Sequence, residues 1–367
     1  MRKVTLRLSD GTNFHGFSFG YEQPVAGEVV FNTAMTGYPE CLTDPSYAGQ
    51  MMALTFPLVG NYGVPPFTFA DNGVADFMEG EHIYASALIV SDYSDRYSHW
   101  NACESLSDWL KREHVPAITG IDTRTLTKRL REQGVMMGQI LFDDMPNDIP
   151  SATYGGVNYV DRVSCKEVIR YNEGVGKRVL LLDCGVKHNI LRNLLKRGVE
   201  VIRVPWDYDF NTLDFDGLFL SNGPGDPNTC DAAVQHIRSF LNIEMQKAQD
   251  RNCHVRPLMG ICMGNQLLGK AVGATVFKLK YGHRSHNQPV RMAGTDRCFI
   301  TSQNHGYAVR TETIQDGWQP YFVNMNDGSN EGIRHEKLPF FSVQFHPEAA
   351  SGPTDTMFLF DDFVRML

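Results

Sequence analysis

The chain has 367 residues, of which 42% are hydrophobic and 21% charged, and 34 basic against 42 acidic side chains give a formal charge of −8. That length points to two domains that bury their cores without cross-links, and a composition without long biased tracts excludes a disordered or fibrous protein. The acidic balance argues against a surface that grips nucleic acid, and apolar runs such as 85–90 and 179–182 fall far short of the roughly 20 residues a bilayer needs, so neither nucleic acid nor membrane is an expected partner.

Met1, Arg2 and Lys3 resemble the charged start of a signal peptide, but Arg7 and Asp10 interrupt any apolar stretch behind them. A cytoplasmic location is therefore expected. The eight cysteines are scattered without a C-x-x-C pair, the pattern of reduced thiols.

Residues 1–150 read as a β-rich module. Residues 4–8 alternate with period two, and Asp10-Gly11 supplies a hairpin turn before Phe14. Residues 29–31 and 52–55 are further strands between glycine and proline punctuation. Helices are expected over 106–113 and 123–133, the second with Leu126 and Leu130 on one face and Gly134 as its stop. Residues 151–176, flanked by Pro146 and Pro150 and holding Gly155, Gly156 and the polar Tyr171-Asn172-Glu173-Gly174, read as a linker.

From residue 177 to 367 the pattern is strand, helix, strand. Strands are expected at 179–182, 200–204, 217–221 and 255–261. Between them lie a helical stripe of Ile190, Leu191, Leu194 and Leu195 ending at Gly198, and a helix within 231–247. Such alternation implies a doubly wound, mostly parallel α/β sheet. Residues 274–277, 297–301 and 340–345 add strands with no evident helices between them, hence an antiparallel extension.

Gly260-Ile261-Cys262-Met263-Gly264 sits between an apolar strand and a helical run. This G-x-C-x-G elbow is the thiol analogue of G-x-S-x-G. Its glycines permit a sharp turn, and the helix N-terminus favours a thiolate and offers N–H groups to an oxyanion. Taken alone, the elbow is equally a tight βα turn around a buried structural cysteine. A base is available at the end of the last strand, where His346-Pro347-Glu348 follows 340–345. His346 would deprotonate the thiol and protonate the leaving amine, while Glu348 would fix its tautomer. Two more loops look exposed and polar, Ser221-Asn222-Gly223-Pro224-Gly225-Asp226-Pro227 and Ser302-Gln303-Asn304-His305-Gly306-Tyr307.

In this order the four segments resemble class I (triad-type) glutamine amidotransferases over 177–367. The front domain narrows the resemblance: Gly27-Glu28-Val29-Val30-Phe31-Asn32-Thr33, Thr36-Gly37-Tyr38-Pro39-Glu40, Leu42-Thr43-Asp44-Pro45-Ser46-Tyr47, Gly60-Asn61-Tyr62-Gly63 and Gly120-Ile121-Asp122-Thr123-Arg124 are similar to the small chain of carbamoyl-phosphate synthetase.

The resemblance implies an N-terminal β-rich α/β domain followed by a class I amidotransferase domain. It implies that Cys262 attacks the glutamine side-chain amide, giving a γ-glutamyl thioester and ammonia, with His346 as base then acid and Glu348 orienting it. It carries glutamine contacts to Ser46, Gly223, Gly225, Met263, Gln266, Asn304, Gly306 and Tyr307. Gly225 and Met263 would act through backbone N–H groups, and Ser46 would reach the site from the other domain. Ammonia would pass to a large partner chain of a heterodimer, which would make carbamoyl phosphate from bicarbonate and two ATP for arginine and pyrimidine synthesis. No cofactor is expected on this chain, since it carries no G-x-x-x-x-G-K-S/T loop; ATP and Mg belong to the partner. Leu367 follows closely on the last expected helix, 357–366, which favours a separate partner chain.

One departure is Asn265, where the family usually has histidine. Two other functions compete with this reading. A stand-alone cysteine hydrolase of γ-glutamyl compounds leaves the front domain unexplained. A non-catalytic regulatory chain is opposed by the intact Cys262, His346 and Glu348. His283 and His286 flank Arg284 without a third partner at helical spacing, so they read as a polar loop and no metal is expected.

Overall fold

The computed structural model describes residues 1–146, 149, 154–315 and 317–367. The chain divides into two units, Met1–Val157 and Asn158–Leu367. Among the described residues no helix is long and apolar enough to cross a membrane.

In the first unit, β1 (Lys3–Leu8) buries Val4, Leu6 and Leu8 and turns Arg7 to solvent, as period two requires. Gly11 then adopts φ 87°, and the Asp10 carboxylate accepts the Thr12 N–H at 2.9 Å, which closes the turn into β2 (Asn13–Ser18). The strands that follow are β3 (Val25–Asn32), β4 (Gln50–Leu54), β5 (Leu58–Val59), β6 (Ala87–Ile89), β7 (Asp92–Tyr93), β8 (Ala117–Thr119) and β9 (Met136–Phe142). A closed barrel forms in the order β1-β2-β8-β6-β4-β3-β9, while β5 and β7 pair separately. The β3–β4, β4–β6 and β6–β8 pairs are parallel. Parallel strands are covered on both faces, which explains why 29–31 and 52–54 are continuously apolar.

Three helices accompany the barrel: α1 (Tyr38–Thr43), α2 (Leu106–Arg112) and α3 (Thr123–Gln133). The Asp122 carboxylate caps α3 by accepting the Thr125 N–H at 2.9 Å, Leu126 and Leu130 are buried, and Gly134 ends the helix at φ 94°.

The residues read as a linker largely belong to the second unit. Within 151–176, of which 151–153 lie outside the described residues along with Pro150, α4 (Tyr159–Val163) is followed by β10 (Ile169–Tyr171). The latter pairs antiparallel with β12 (Glu200–Pro205). Backbone pairing at a sheet edge holds this polar stretch, and composition does not report it.

Around β12 the sheet contains β11 (Arg178–Asp183), β13 (Gly217–Leu220), β14 (Leu258–Ile261) and, later in sequence, β15 (Val276–Met292), β16 (Cys298–Val309), β17 (Trp318–Asn324), β18 (Asn330–His335) and β19 (Phe340–Val343). Its order is β10-β12-β11-β13-β14-β19-β18-β17-β15-β16. The run from β12 to β19 is parallel, and the β18-to-β16 part is antiparallel. The helices are α5 (His188–Lys196), α6 (Asp231–Lys247), α7 (Met263–Ala271) and α8 (Phe358–Met366).

Successive strand residues face opposite ways. Leu218 and Leu220 enter one core with Ile237 and Phe240 of α6 and Leu267 and Leu268 of α7. Phe219, between them, stacks on Phe360 of α8 with centroids 5.9 Å apart and meets Phe363 edge-on. Helices therefore cover both faces, the doubly wound arrangement. Because β14 and β19 are parallel neighbours, their carboxyl ends bring Cys262 and the segment leading to His346 to one sheet edge.

Two strand bounds and two loops need correction. Strand 255–261 begins at Leu258 behind Pro257, and strand 340–345 ends at Val343. The supposed polar loops at 283–286 and 302–307 are strand, inside β15 and β16, where His283, Arg284, Ser302, Gln303 and His305 are buried. Their polar side chains find partners inside the fold, His305 with Gln303 and Tyr307 of its own strand and His283 with Asp327 and Glu331, so hydropathy reads them as loop.

Candidate active site

The elbow is forced by close packing. A Cβ on Gly264 would lie 2.4 Å from the Leu220 carbonyl oxygen, and one on Gly260 would lie 2.9 Å from the Gly264 backbone. Between them Cys262 takes φ 53°, ψ −100°, a conformation that costs an L residue energy and is held only by its surroundings. Those surroundings are two hydrogen bonds: the Cys262 N–H donates to the Val343 oxygen at 2.8 Å, and the Gly264 N–H donates to the Ser221 oxygen at 3.0 Å. Cys262 is buried, its thiol directed at the Asn304 carbonyl oxygen 3.7 Å away. Met263 opens α7, so its N–H belongs to the first-turn donors that have no partner within the helix.

His346 reaches the same edge because its N–H donates to the Ser302 oxygen at 2.9 Å, tying the chain after β19 to β16. Its Nδ1 lies 2.6 Å from Glu348 Oε1, and Nε2 has no hydrogen bond of ordinary length. Burial works to lower the imidazole pKa, but the Glu348 charge and the neighbouring Cys262 side chain overcome this and raise it well above its usual value. Burial likewise works to raise the Glu348 pKa, and the charges of Lys187 and His346 reverse it, holding the carboxyl at about 2. Carboxylate, imidazole and thiol thus stand in the order of a nucleophile with an oriented base.

Lys187 is the residue that the sequence reading missed. Its Nζ lies 3.1 Å from Glu348 Oε1 and donates to the Ala349 oxygen at 2.7 Å, while its own N–H donates to Asn222 Oδ1 at 3.0 Å. One signal was available: Lys187 stands at the N-cap of α5, the end of a helix where a cation is disfavoured, so its charge must be met by something else. Lys187→Met is expected to cost about 3 kcal/mol at pH 7, because it leaves a buried carboxylate without its cation. The sign with pH follows from the depressed Glu348 pKa. Its stabilisation is complete above the ordinary carboxylate value near 4.5 and is lost as pH falls towards about 2. The gap between wild type and Lys187→Met, measured as urea midpoints, should therefore narrow across that window; a gap independent of pH would contradict the pairing.

The glutamine-binding candidates lie as follows. Gly223 and Gly225 follow β13, the neighbour of β14. A Cβ on Gly223 would come 2.1 Å from the Cys184 oxygen, and Gly225 has φ 87°, so the loop packs backbone against backbone. Gln266, buried in α7, donates from Nε2 to the Tyr307 oxygen at 3.2 Å and to Gln344 Oε1 at 3.3 Å. Asn304, Gly306 and Tyr307 share β16. The structure therefore gathers Cys262, Met263, Gln266, Asn304, Gly306, Tyr307, His346 and Glu348 around the carboxyl ends of β14 and β19 and the interior of β16. Ser46 belongs to the first unit, in a buried turn where its N–H donates to Asp44 Oδ1 at 2.8 Å.

Asn265 does not point at the thiol's partners. Its Nδ2 donates to Gln344 Oε1 at 2.9 Å and its Oδ1 accepts from Ser342 Oγ at 2.8 Å, both within the core.

His283 and His286 part company. His286 faces Ser351 Oγ at 3.4 Å, whereas His283 meets the third partner that sequence spacing did not reveal. His283, His305 and Glu331, all buried, bring potential metal-ligand atoms within 4.8 Å of one another. The ring nitrogens are engaged within the protein, His283 between Asp327 and Glu331 and His305 between the Tyr307 oxygen and Gln303.

Comparison with known proteins adds the following. A family model described as glutamine amidotransferase class-I matches residues 180–366, and one described as carbamoyl-phosphate synthase small chain, CPSase domain, matches 6–140. The chain is 48% identical to the carbamoyl phosphate synthase arginine-specific small chain of Saccharomyces cerevisiae, over 98% of this chain and 88% of that protein. It is 46% identical to the multifunctional protein URA2 of the same yeast, over 99% of this chain but 17% of that one. It is 45% identical to the mitochondrial carbamoyl-phosphate synthase (ammonia) of Homo sapiens, over 98% of this chain and 23% of that one. The chain thus spans from 16% to 21% of the multifunctional relatives it matches.

Proposed function

We propose that this chain, which belongs to the carbamoyl-phosphate synthase small-chain family, hydrolyses the side-chain amide of L-glutamine and supplies the ammonia to a large partner chain. That partner, as proposed, holds the ATP and Mg and makes carbamoyl phosphate from bicarbonate and two ATP, for arginine and pyrimidine synthesis.

The observation that carries the proposal is the buried Cys262 at a strained elbow beside a His346 whose other nitrogen is bound by Glu348. In the proposed reaction the proton of the thiol–imidazole pair rests on His346 Nε2, where the raised pKa of the ring holds it, and the sulfur attacks the amide carbon. N–H groups of Met263 and Gly225 receive the oxyanion. The imidazolium then gives its proton to the leaving nitrogen, ammonia departs, and the γ-glutamyl thioester remains. His346 next takes a proton from water, hydroxide attacks the thioester, and glutamate leaves as the thiol is restored. Glu348 and Lys187 keep the imidazole in one tautomer throughout.

Support for a partner chain comes from the small-chain family model over 6–140. The cytoplasm is the proposed compartment, with eight free thiols in its favour. The test is glutamate release from glutamine by the purified chain, alone and with a synthetase large chain, with hydroxylamine added to trap the thioester as γ-glutamyl hydroxamate. Release that rises with the large chain, together with hydroxamate, is the expected result. Release indifferent to any partner would favour a stand-alone hydrolase and overturn the proposal.

A further inference from the structure

Beyond the triad, β16 carries a second constraint. Its segment from Ser302 to Tyr307 meets the site three times: Ser302 holds the His346 backbone, the Asn304 oxygen faces the Cys262 thiol, and the Tyr307 oxygen accepts Gln266 Nε2. Within that segment the His305 ring acts as a strut. Its Nδ1 lies 2.8 Å from the Tyr307 oxygen and its Nε2 lies 3.1 Å from Gln303 Oε1. Burial first, and then the His283 charge, favour the neutral ring, which has one N–H to donate; bridging Gln303 and Tyr307 of its own strand, it sets the backbone between them.

What holds the strut comes from three other segments. His283 is the cross-strand partner of His305 in β15, and the two rings meet edge to face with centroids 4.9 Å apart. Glu331 of β18 is fully buried; its Oε1 lies 3.3 Å from His283 Nδ1 and 4.0 Å from His305 Nε2, and it accepts from Asn324 Nδ2 at 2.8 Å. Asp327, in the turn before β18, takes His283 Nε2 at 2.9 Å. The Glu331 carbonyl oxygen accepts the Gln344 N–H at 2.9 Å, two residues before His346. No step of the proposed hydrolysis uses His283, Asp327 or Glu331.

We infer that the buried His283–Glu331 pair is the positioning device of the glutamine-binding strand, fixing His305 and with it the Asn304–Tyr307 backbone that meets substrate. The inference rests on the glutaminase reading above. A buried carboxylate with one oxygen that makes no hydrogen bond is costly to keep, and the histidine pair is what its charge serves. Burial works against the protonated His283 ring, but hydrogen bonds and charge from Asp327 and Glu331 raise its pKa to about 9. The titratable or charged groups facing the pair are Asp327, Glu331 and the two rings, with Arg284 and His346 acting on His305.

The test is Glu331→Gln in the full chain, which keeps the size and the acceptor for Asn324 and removes the charge. Glutaminase kinetics from pH 6.5 to 9.5 are read beside hydrogen exchange of the 302–309 segment. The KM for glutamine should rise about 10-fold while kcat stays within about 3-fold, the pattern of lost binding geometry. In wild type KM should climb as His283 loses its proton near pH 9, and in the variant that climb should begin at lower pH. Exchange across 302–309 should quicken while β11 and β14 stay protected. An unchanged KM with unchanged exchange overturns the inference, as does a loss of protection spread evenly over the unit. If the wild-type chain hydrolyses no glutamine, the glutaminase reading falls, and the exchange pattern alone still decides whether the pair holds the strand.

Discussion

Cys262→Ser should reduce glutamate release from glutamine by about 10³-fold or more. The substitution is nearly isosteric and leaves the backbone bonds to Val343 and Ser221 in place, so the elbow keeps its shape. What changes is the acid. A thiol ionises near pH 8.5, and the thiolate is the nucleophile; a serine hydroxyl stays protonated across the physiological range and yields its proton to His346 only within the transition state. The site is built around the sulfur, with an imidazole whose pKa is raised by Glu348 and by Cys262 itself. Synthesis from added ammonia by the complex with a large chain should persist in the variant, which separates lost chemistry from lost folding. A serine variant that retains glutaminase within 10-fold would remove Cys262 from the role of nucleophile.

Gly264→Ala is expected to destabilise the fold of the second unit strongly. Its Cβ would stand 2.4 Å from the Leu220 oxygen and 2.7 Å from the Leu220 Cβ. Neither side can give way cheaply. Leu220 is fully buried in β13, bonded between β11 and β14, and the Gly264 N–H is itself tied to Ser221. Overpacking against backbone with no room to relax should cost about 3 kcal/mol or more. For a unit of this size that lowers the melting temperature by roughly 6–12 °C. Gly155→Ala, whose Cβ would meet nothing within 4 Å, should stay within about 0.5 kcal/mol of wild type. Equal melting of the two variants would refute the packing argument.

Where the sequence could be read, local physics was sufficient. Period-two burial placed β1 and β2, and Asp10-Gly11 placed their turn. The 3.6-residue stripe placed α3 and α5 with their glycine stops. Strand–helix alternation led to the doubly wound sheet. The four motifs, in order, named Cys262, His346 and Glu348 as one constellation, because a glycine-flanked thiol between strand and helix and a histidine at a late strand end are rare as local patterns.

The tertiary structure decided what depends on partners distant in sequence. The barrel closure in the first unit joins β1 to β9 across the whole module, and no local pattern encodes that pairing. Residues 159–163 and 169–171 pass for linker because their polar edge strand is held by backbone bonds to β12. His283 and His305 look like loop polarity until the strands bring them together with Glu331. Lys187 lies 161 positions from Glu348 and becomes its counter-charge only when the ends of β11 and β19 share one sheet edge. Propensity and periodicity act over a few residues, whereas charge pairing in a buried site is set by topology, so the sequence by itself determined the candidate nucleophile, base and orienter and the tertiary structure determined what steadies them.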